Sequence, residues 1–235
     1  MPSRRVRAFR RFANWVLGMV LRAVFSIELV GLHNIPPDGP FIAAMNHIFF
    51  IDPILVSTFS NRMIVIMSKI ENYDIPLVGP ILHLYGTFPV HRGETDMHAI
   101  RTSLKVLDAG VGLLMAPEGT RSPHRALQPG RDGMALIALR SAAPIVPVGI
   151  TGQEKLWTNL KRLRRTPVRL AFGEPFLARP DPSLSHKEQL HCVTHDAMVR
   201  LAALLPREYR GVYADKESPD GDWAAVPTAT GTAAG

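Results

Sequence analysis

A single cysteine, Cys192, occurs in the 235 residues. No intramolecular disulfide can form, and a reducing compartment is the natural setting. Aromatic residues are sparse at 7%, and no nucleic-acid motif accompanies them, so the net charge of +7 does not point to a nucleic-acid binder. The uncharged stretch 12–21 is half of the ~20 residues that a membrane-crossing helix needs, and Arg22 interrupts it. There is no Gly-x-Ser-x-Gly elbow, no Gly-x4-Gly-Lys-Ser/Thr phosphate loop and no His-Glu-x-x-His pair. The nine histidines are scattered, not grouped at metal-ligand spacings, so no metal is expected; no bound cofactor is expected either.

What is present is cationic and apolar at once. Arg4, Arg5, Arg7, Arg10 and Arg11 open the chain, and Lys155, Lys161, Arg162, Arg164 and Arg165 lie near Leu156, Trp157 and Leu163. Basic groups beside large apolar side chains suit an anionic lipid surface; a solvated charged face is the alternative for the second group. Val6, Phe9, Ala13, Val16, Leu17, Val20 and Val24 recur at helical spacing, opposite Arg4, Arg7, Arg11 and Arg22. Residues 1–28 therefore read as an interfacial amphipathic helix on the cytoplasmic face of a membrane, peripheral or monotopic. A helix packed against its own domain is the rival reading.

From residue 29 to 211 short apolar runs alternate with helical patterns. Residues 41–45, 63–68, 84–90, 111–116, 145–150 and 168–172 read as strands, several buried on both faces. Residues 53–60, 96–109, 133–142 and 185 to about 205 read as helices, the second ended by Gly110 and the last opened by a Ser185/Glu188 capping box. The expectation is a single-domain α/β sandwich, a mostly parallel or mixed sheet with helices on both faces. Residues 212–235 have too little apolar content for a core and read as a disordered tail.

Four segments sit where such a sheet would carry chemistry. Asn46-His47 follows a strand, and Asp52-Pro53 opens a helix with Asp as its cap. A carboxylate on one imidazole nitrogen of His47 would leave the other as a general base. The spacing itself is cheap, because His33/Asp38, His91/Asp96 and His191/Asp196 share it, and a plain helix cap beside a bystander histidine remains open. Glu118-Gly119-Thr120-Arg121 follows the run 111–116; Arg121 offers a fork for phosphate, Gly119 a close backbone approach, and Glu118 a partner for Arg121 or a substrate hydroxyl. Arg92 closes a third segment that begins at Phe88. Val146-Pro147-Val148 reads as a strand with a proline, suited to a sheet edge or an irregular ladder.

In this order and spacing the four segments resemble the 1-acylglycerol-3-phosphate acyltransferase family, with Phe49, His91 and Ala116 as departures. The resemblance runs from about Gly31 to Phe176. It implies that His47 is the general base and Asp52 its support, while Arg92, Glu118, Gly119, Thr120 and Arg121 hold the acceptor. It further implies direct transfer of a fatty acyl group from acyl-CoA or acyl-carrier protein, as co-substrate, to lysophosphatidic acid, giving phosphatidic acid. Another lyso-lipid acceptor, or a non-catalytic lipid-binding module, are the alternatives. The apolar stretch 75–85 is expected to cover the acyl chain.

Overall fold

The computed structural model describes residues 4–91 and 96–216. Helix α1 (Arg4–Val24) leads into β1 (Phe25–Val30), β2 (Phe41–Met45), α2 (Asp52–Phe59), β3 (Ile64–Lys69), α3 (Val78–Tyr85), β4 (Phe88–Val90) and α4 (Met97–Asp108). There follow β5 (Gly112–Met115), α5 (Gly133–Ser141), β6 (Ile145–Thr151), α6 (Leu156–Leu160), β7 (Thr166–Phe172) and α7 (His186–Ala203). The strands form one sheet in the order β1-β7-β6-β2-β5-β3-β4. Only the β6/β7 pair is antiparallel, so β2 to β6 all end at the same edge.

Alternation along β2 shows how the sheet separates two cores. Phe41, Ala43 and Met45 pack with Leu21 of α1 and with Leu55, Val56 and Phe59 of α2. Ile42 and Ala44 pack toward α4, α5 and α7 through Ile100, Leu107, Met134 and Val193. Every residue of β2 is buried, which is why its sequence shows an unbroken apolar run in place of an in/out pattern. The expected α/β sandwich with helices on both faces is the fold observed.

Local signals account for the element ends. Ser185 and Glu188 form the reciprocal capping box of α7. After α4, Gly110 takes a left-handed φ of 72°; its N–H bonds Leu107 and that of Val111 bonds Val106, closing the helix. Pro147 lies in an interior strand, not at an edge, where the β6/β7 ladder gives way to a single bridge at Ile145. The irregular ladder is what admits it.

Three expectations need correction. The amino-terminal helix stops at Val24, and Phe25–Val30 is an edge strand paired with β7, its exposure alternating as a half-covered strand requires. Residues 84–90 do not form one strand: α3 runs to Tyr85, Gly86 ends it at φ 80°, and only Phe88–Val90 joins the sheet. Packing also continues past residue 211. Tyr213 is buried and its hydroxyl accepts the Gly130 N–H, while Val212 N–H bonds the Leu127 carbonyl. Residues 217–235, most of the expected tail, lie outside the described residues.

Helix α1 is docked on the domain along one side. Arg10 faces inward, donating to Ser57 Oγ at 3.0 Å and to the Ile64 carbonyl, with its guanidinium 4.4 Å above the Tyr85 ring. Tyr85 in turn donates to Asn14 Oδ1. This polar strut fixes α1 to α2, β3 and α3 together. The expected apolar stripe lies mostly against the domain: Val6, Phe9, Ala13, Val16, Leu17 and Val24 are half-buried, Leu17 and Val24 packing on the core, while Val20 is exposed beside Phe12, Trp15 and Met19, which lie outside the stripe. Among the described residues no helix is long and apolar enough to cross a membrane.

Candidate active site

The carboxyl ends of the parallel strands place the site. Beyond Met45, the Asn46 side chain bonds the Ile150 carbonyl and accepts the Ile150 N–H, so it continues the β2/β6 pairing as a side-chain substitute for backbone. The chain then turns, and Asp52 folds back onto that turn. Asp52 is not a helix cap: Ile51 occupies that position, and the Asp52 carboxylate reaches backward. Oδ2 accepts the Ile48 N–H at 2.8 Å and the Phe49 N–H at 2.7 Å, and lies 3.0 Å from His47 Nδ1. Oδ1 accepts Gln153 Nε2 at 2.9 Å.

Asp52 is fully buried and His47 nearly so. Four donors converge on one carboxylate, fixing both it and the imidazole plane. With Nδ1 held, Nε2 of His47 is the free nitrogen, and the ring lines a cavity of about 540 Å³, a size suited to a lipid-like ligand. Burial separates this pair from its sequence look-alikes. His91 and Asp96 also meet, at 3.1 Å, but His91 is exposed; the N–H groups of His91 and Ala99 hold the Asp96 carboxyl down at about 2. Asp196 pairs with Arg200.

The 118–122 loop is stitched to the same turn. Glu118 Oε1 accepts the His47 N–H at 3.4 Å and Oε2 accepts the Gln128 N–H at 2.9 Å, while Ser122 N–H bonds the His47 carbonyl at 2.8 Å. Glu118 is therefore a buried brace for the His47 turn; of its two expected partners, Arg121 or a substrate hydroxyl, Arg121 is not among the groups it bonds in the described residues. Gly119 lines the cavity at φ 71°, and a Cβ there would lie 2.9 Å from Arg131 Cδ. Thr120 is half-buried and Arg121 exposed. Arg92 lies outside the described residues.

Burial pushes the Glu118 carboxyl up to about 7, against its two N–H donors and with the Asp52 charge adding to the rise. The folded chain thus retains a proton that the unfolded chain, titrating at 4.5, has lost. Stability should fall as pH rises from about 4.5 to about 7 and level off above. Glu118→Gln, which cannot ionise, should gain on the wild type by roughly 2–3 kcal/mol between about pH 5 and about pH 8. Thermal unfolding of both proteins across that range measures it, and a difference that does not move with pH would refute the assignment.

Two residues that the sequence reading missed belong to the site. Gln153, fully buried, reaches Asp52 from two positions beyond β6; a polar residue just past a parallel strand's carboxyl end was the available signal. Arg131 lines the cavity beside Gly119 and forms no ion pair among the described residues. Its place in the Gly-rich run before α5 was the only hint. The cavity walls are apolar, from Met45, Ile66, Met67, Ile100, Leu114 and Met134. The stretch 75–85 contributes nothing to them; Ile75, Leu77, Ile81 and Leu84 are instead exposed on the surface.

Known proteins resemble this chain over most of its length. The chain is 26% identical over 195 residues to the 1-acyl-sn-glycerol-3-phosphate acyltransferase of Bacillus subtilis (strain 168), covering 83% of this chain and 96% of that protein. A Chlamydomonas reinhardtii protein of the same description is 26% identical over 200 residues, of which this chain spans 58% of the length. The crystal structure of the 1-acyl-sn-glycerophosphate (LPA) acyltransferase PlsC from Thermotoga maritima superposes with a TM-score of 0.63 at 25% identity, covering 86% of this chain and 82% of that one. The Acyltransferase family model matches residues 26–151, more than half of the chain. Because that span holds the His47–Asp52 pair, the Glu118–Arg121 loop and the strands that bring them together, this chain belongs to the Acyltransferase family.

Proposed function

We propose that the chain transfers a fatty acyl group from an acyl thioester, acyl-CoA or acyl-carrier protein, to the free hydroxyl of lysophosphatidic acid, giving phosphatidic acid. The observation that carries the reading is a buried, four-donor His47–Asp52 pair at an apolar cavity. Arg131 on that cavity, which forms no ion pair among the described residues, and the exposed Arg121 on the adjoining loop add to it. His47 Nε2 takes the hydroxyl proton as the oxygen attacks the thioester carbonyl. The C–S bond then breaks, and the proton passes to the departing thiolate. Asp52 stabilises the imidazolium between these events. No acyl-enzyme is required, and the apolar walls suit the acyl chain.

Arg121, Arg131 and, by resemblance, Arg92 supply the charge for the acceptor's phosphate. Arg131→Ala and Arg121→Ala should each raise the acceptor KM about tenfold, the loss of one charge-assisted hydrogen bond. With a phosphate-free monoacyl acceptor the same changes should matter by less than about twofold. Equal losses on both acceptors would remove phosphate from the reading. The primary test mixes purified protein with an acyl thioester and lysophosphatidic acid. Free thiol should appear only with acceptor present, together with phosphatidic acid, and acceptor-independent thiol release would overturn the proposal.

The exposed Phe12, Trp15, Met19 and Val20 of α1, with Arg4, Arg7, Arg11 and Arg22 also exposed, support peripheral attachment to the cytoplasmic face of an anionic membrane. A docked helix and an interfacial helix are then one and the same, with different sides serving each role.

A further inference from the structure

The segment between α6 and β7 combines features that a soluble surface rarely keeps together. Leu163 is 94% exposed and holds a left-handed φ of 51°, a conformation that costs a branched apolar residue energy. Trp157 and Leu160 are also exposed. The turn is nonetheless built: Leu163 N–H bonds the Leu160 carbonyl, Arg164 N–H bonds the Asn159 carbonyl, and Asn159 Nδ2 donates to Thr166 Oγ1 at 3.2 Å. The structure thus holds a leucine out into solvent on an ordered knob.

Lys155, Lys161, Arg162, Arg164 and Arg165 surround it, all exposed, and none forms an ion pair among the described residues. The neighbouring acid, Glu154, is engaged by the Tyr209 hydroxyl at 2.7 Å. Position adds to composition. Arg165 donates to the Phe25 carbonyl at 2.7 Å, and Phe25 pairs with Thr166. The knob therefore stands beside the end of α1, roughly 15 Å along that helix from Trp15. Its other root is Gln153, the residue that holds Asp52.

We propose that the Leu156–Arg165 knob is a second membrane foot, in which Leu163, Leu160 and Trp157 enter the acyl boundary of an anionic bilayer while the five cations meet its headgroups. The inference rests on the acyl transfer proposed above. It gives α1 a partner and fixes the height of His47 over the lipid surface through Gln153. An acidic carrier protein would match the charge, but it gives no reason for three exposed apolar side chains with a leucine held at the tip; a bilayer does.

Trp157 is the probe. In the full chain carrying Trp15→Phe and Trp223→Phe it is the sole tryptophan, since the sequence has three. Vesicles of phosphatidylcholine with phosphatidylglycerol should shift its emission to the blue and allow quenching by lipids brominated in the tails. Leu163→Asp should lower vesicle affinity, and turnover of lysophosphatidic acid carried in vesicles, about tenfold. Turnover of a monomeric short-chain acceptor should stay within about twofold, because Leu163 is a surface residue remote from the cavity. Unmoved Trp157 emission on vesicles that sediment with the protein would overturn the proposal. So would wild-type vesicle affinity in Leu163→Asp, or a Trp157 response to acyl-carrier protein and not to vesicles. If the wild type fails to turn over even the monomeric acceptor, the acyl transfer reading fails instead, and the vesicle data still decide the knob.

Discussion

Replacing His47 with alanine is expected to lower kcat roughly a hundred- to ten-thousandfold, the usual contribution of a positioned general base. The fold should survive the change. Asp52 loses one donor of four and keeps the Ile48 and Phe49 N–H groups and Gln153 Nε2, so its carboxylate is not stranded. Glu118 and Ser122 are attached through the His47 backbone, which alanine retains. Acceptor KM should therefore change little beside kcat, as expected for a group whose main interaction develops in the transition state. Thiol release by a folded His47→Ala protein, checked by thermal unfolding, decides the matter. Activity above a few per cent of wild type would exclude His47 as the base.

The second large effect is expected from Asp52, and the choice of substitution separates charge from architecture. In Asp52→Asn the side-chain oxygen can remain at the Oδ2 position, accepting Ile48 N–H, Phe49 N–H and the His47 Nδ1 proton. The amide would then face Gln153, whose Oε1 is buried without a hydrogen bond; rotating that amide supplies the acceptor. The tautomer of His47 is thus preserved while the charge that stabilises its protonated form is lost. The expected fall in kcat is roughly a hundred- to thousandfold, less than the ~10⁴ seen where such an exchange also disturbs the tautomer. Asp52→Ala is different in kind: four donors, two buried and two part-buried, lose their acceptor, at a cost of about 3 kcal/mol in stability. Steady-state kinetics and thermal unfolding on both variants test the distinction. An Asn variant with wild-type kcat would show that the carboxylate's charge plays no part.

Geometry also gives the 118–131 segment two duties. Glu118 and Ser122 clamp the His47 backbone, and Leu127 and Gly130 are held in turn by Tyr209 and Tyr213 near the end of the described chain. The Tyr209 hydroxyl also donates to Glu154, and burial together with that carboxylate raises the phenol's ionisation well above its ordinary value. The segment after α7 therefore braces both the 118–131 loop and the turn that carries Gln153. It contributes to the site without touching the cavity.

What the sequence determined by itself was whatever is local in the chain. An unbroken apolar run marked Phe41–Met45 as a strand covered on both faces, Ser185 and Glu188 marked the start of α7, and Gly110 marked the end of α4. Local patterns failed where two periods overlap: 84–90 is apolar under both the helical and the strand period, and the amino-terminal helical segment, expected to reach residue 28, gives way at Phe25 to a strand although its apolar stripe ends at Val24. The four motifs in order marked the site segments, though not which side chains meet. Of four equal His–Asp spacings, only tertiary structure decides that His47 is the buried one, because the turn between His47 and Asp52 is fixed by Asn46 bonding Ile150 and by Glu118 and Ser122 bonding His47. Gln153 stands 101 residues from Asp52 in the chain, and Arg131 reaches the cavity only by crossing Gly119. Such contacts depend on the folding of distant strands to one sheet edge, and no local periodicity carries that information.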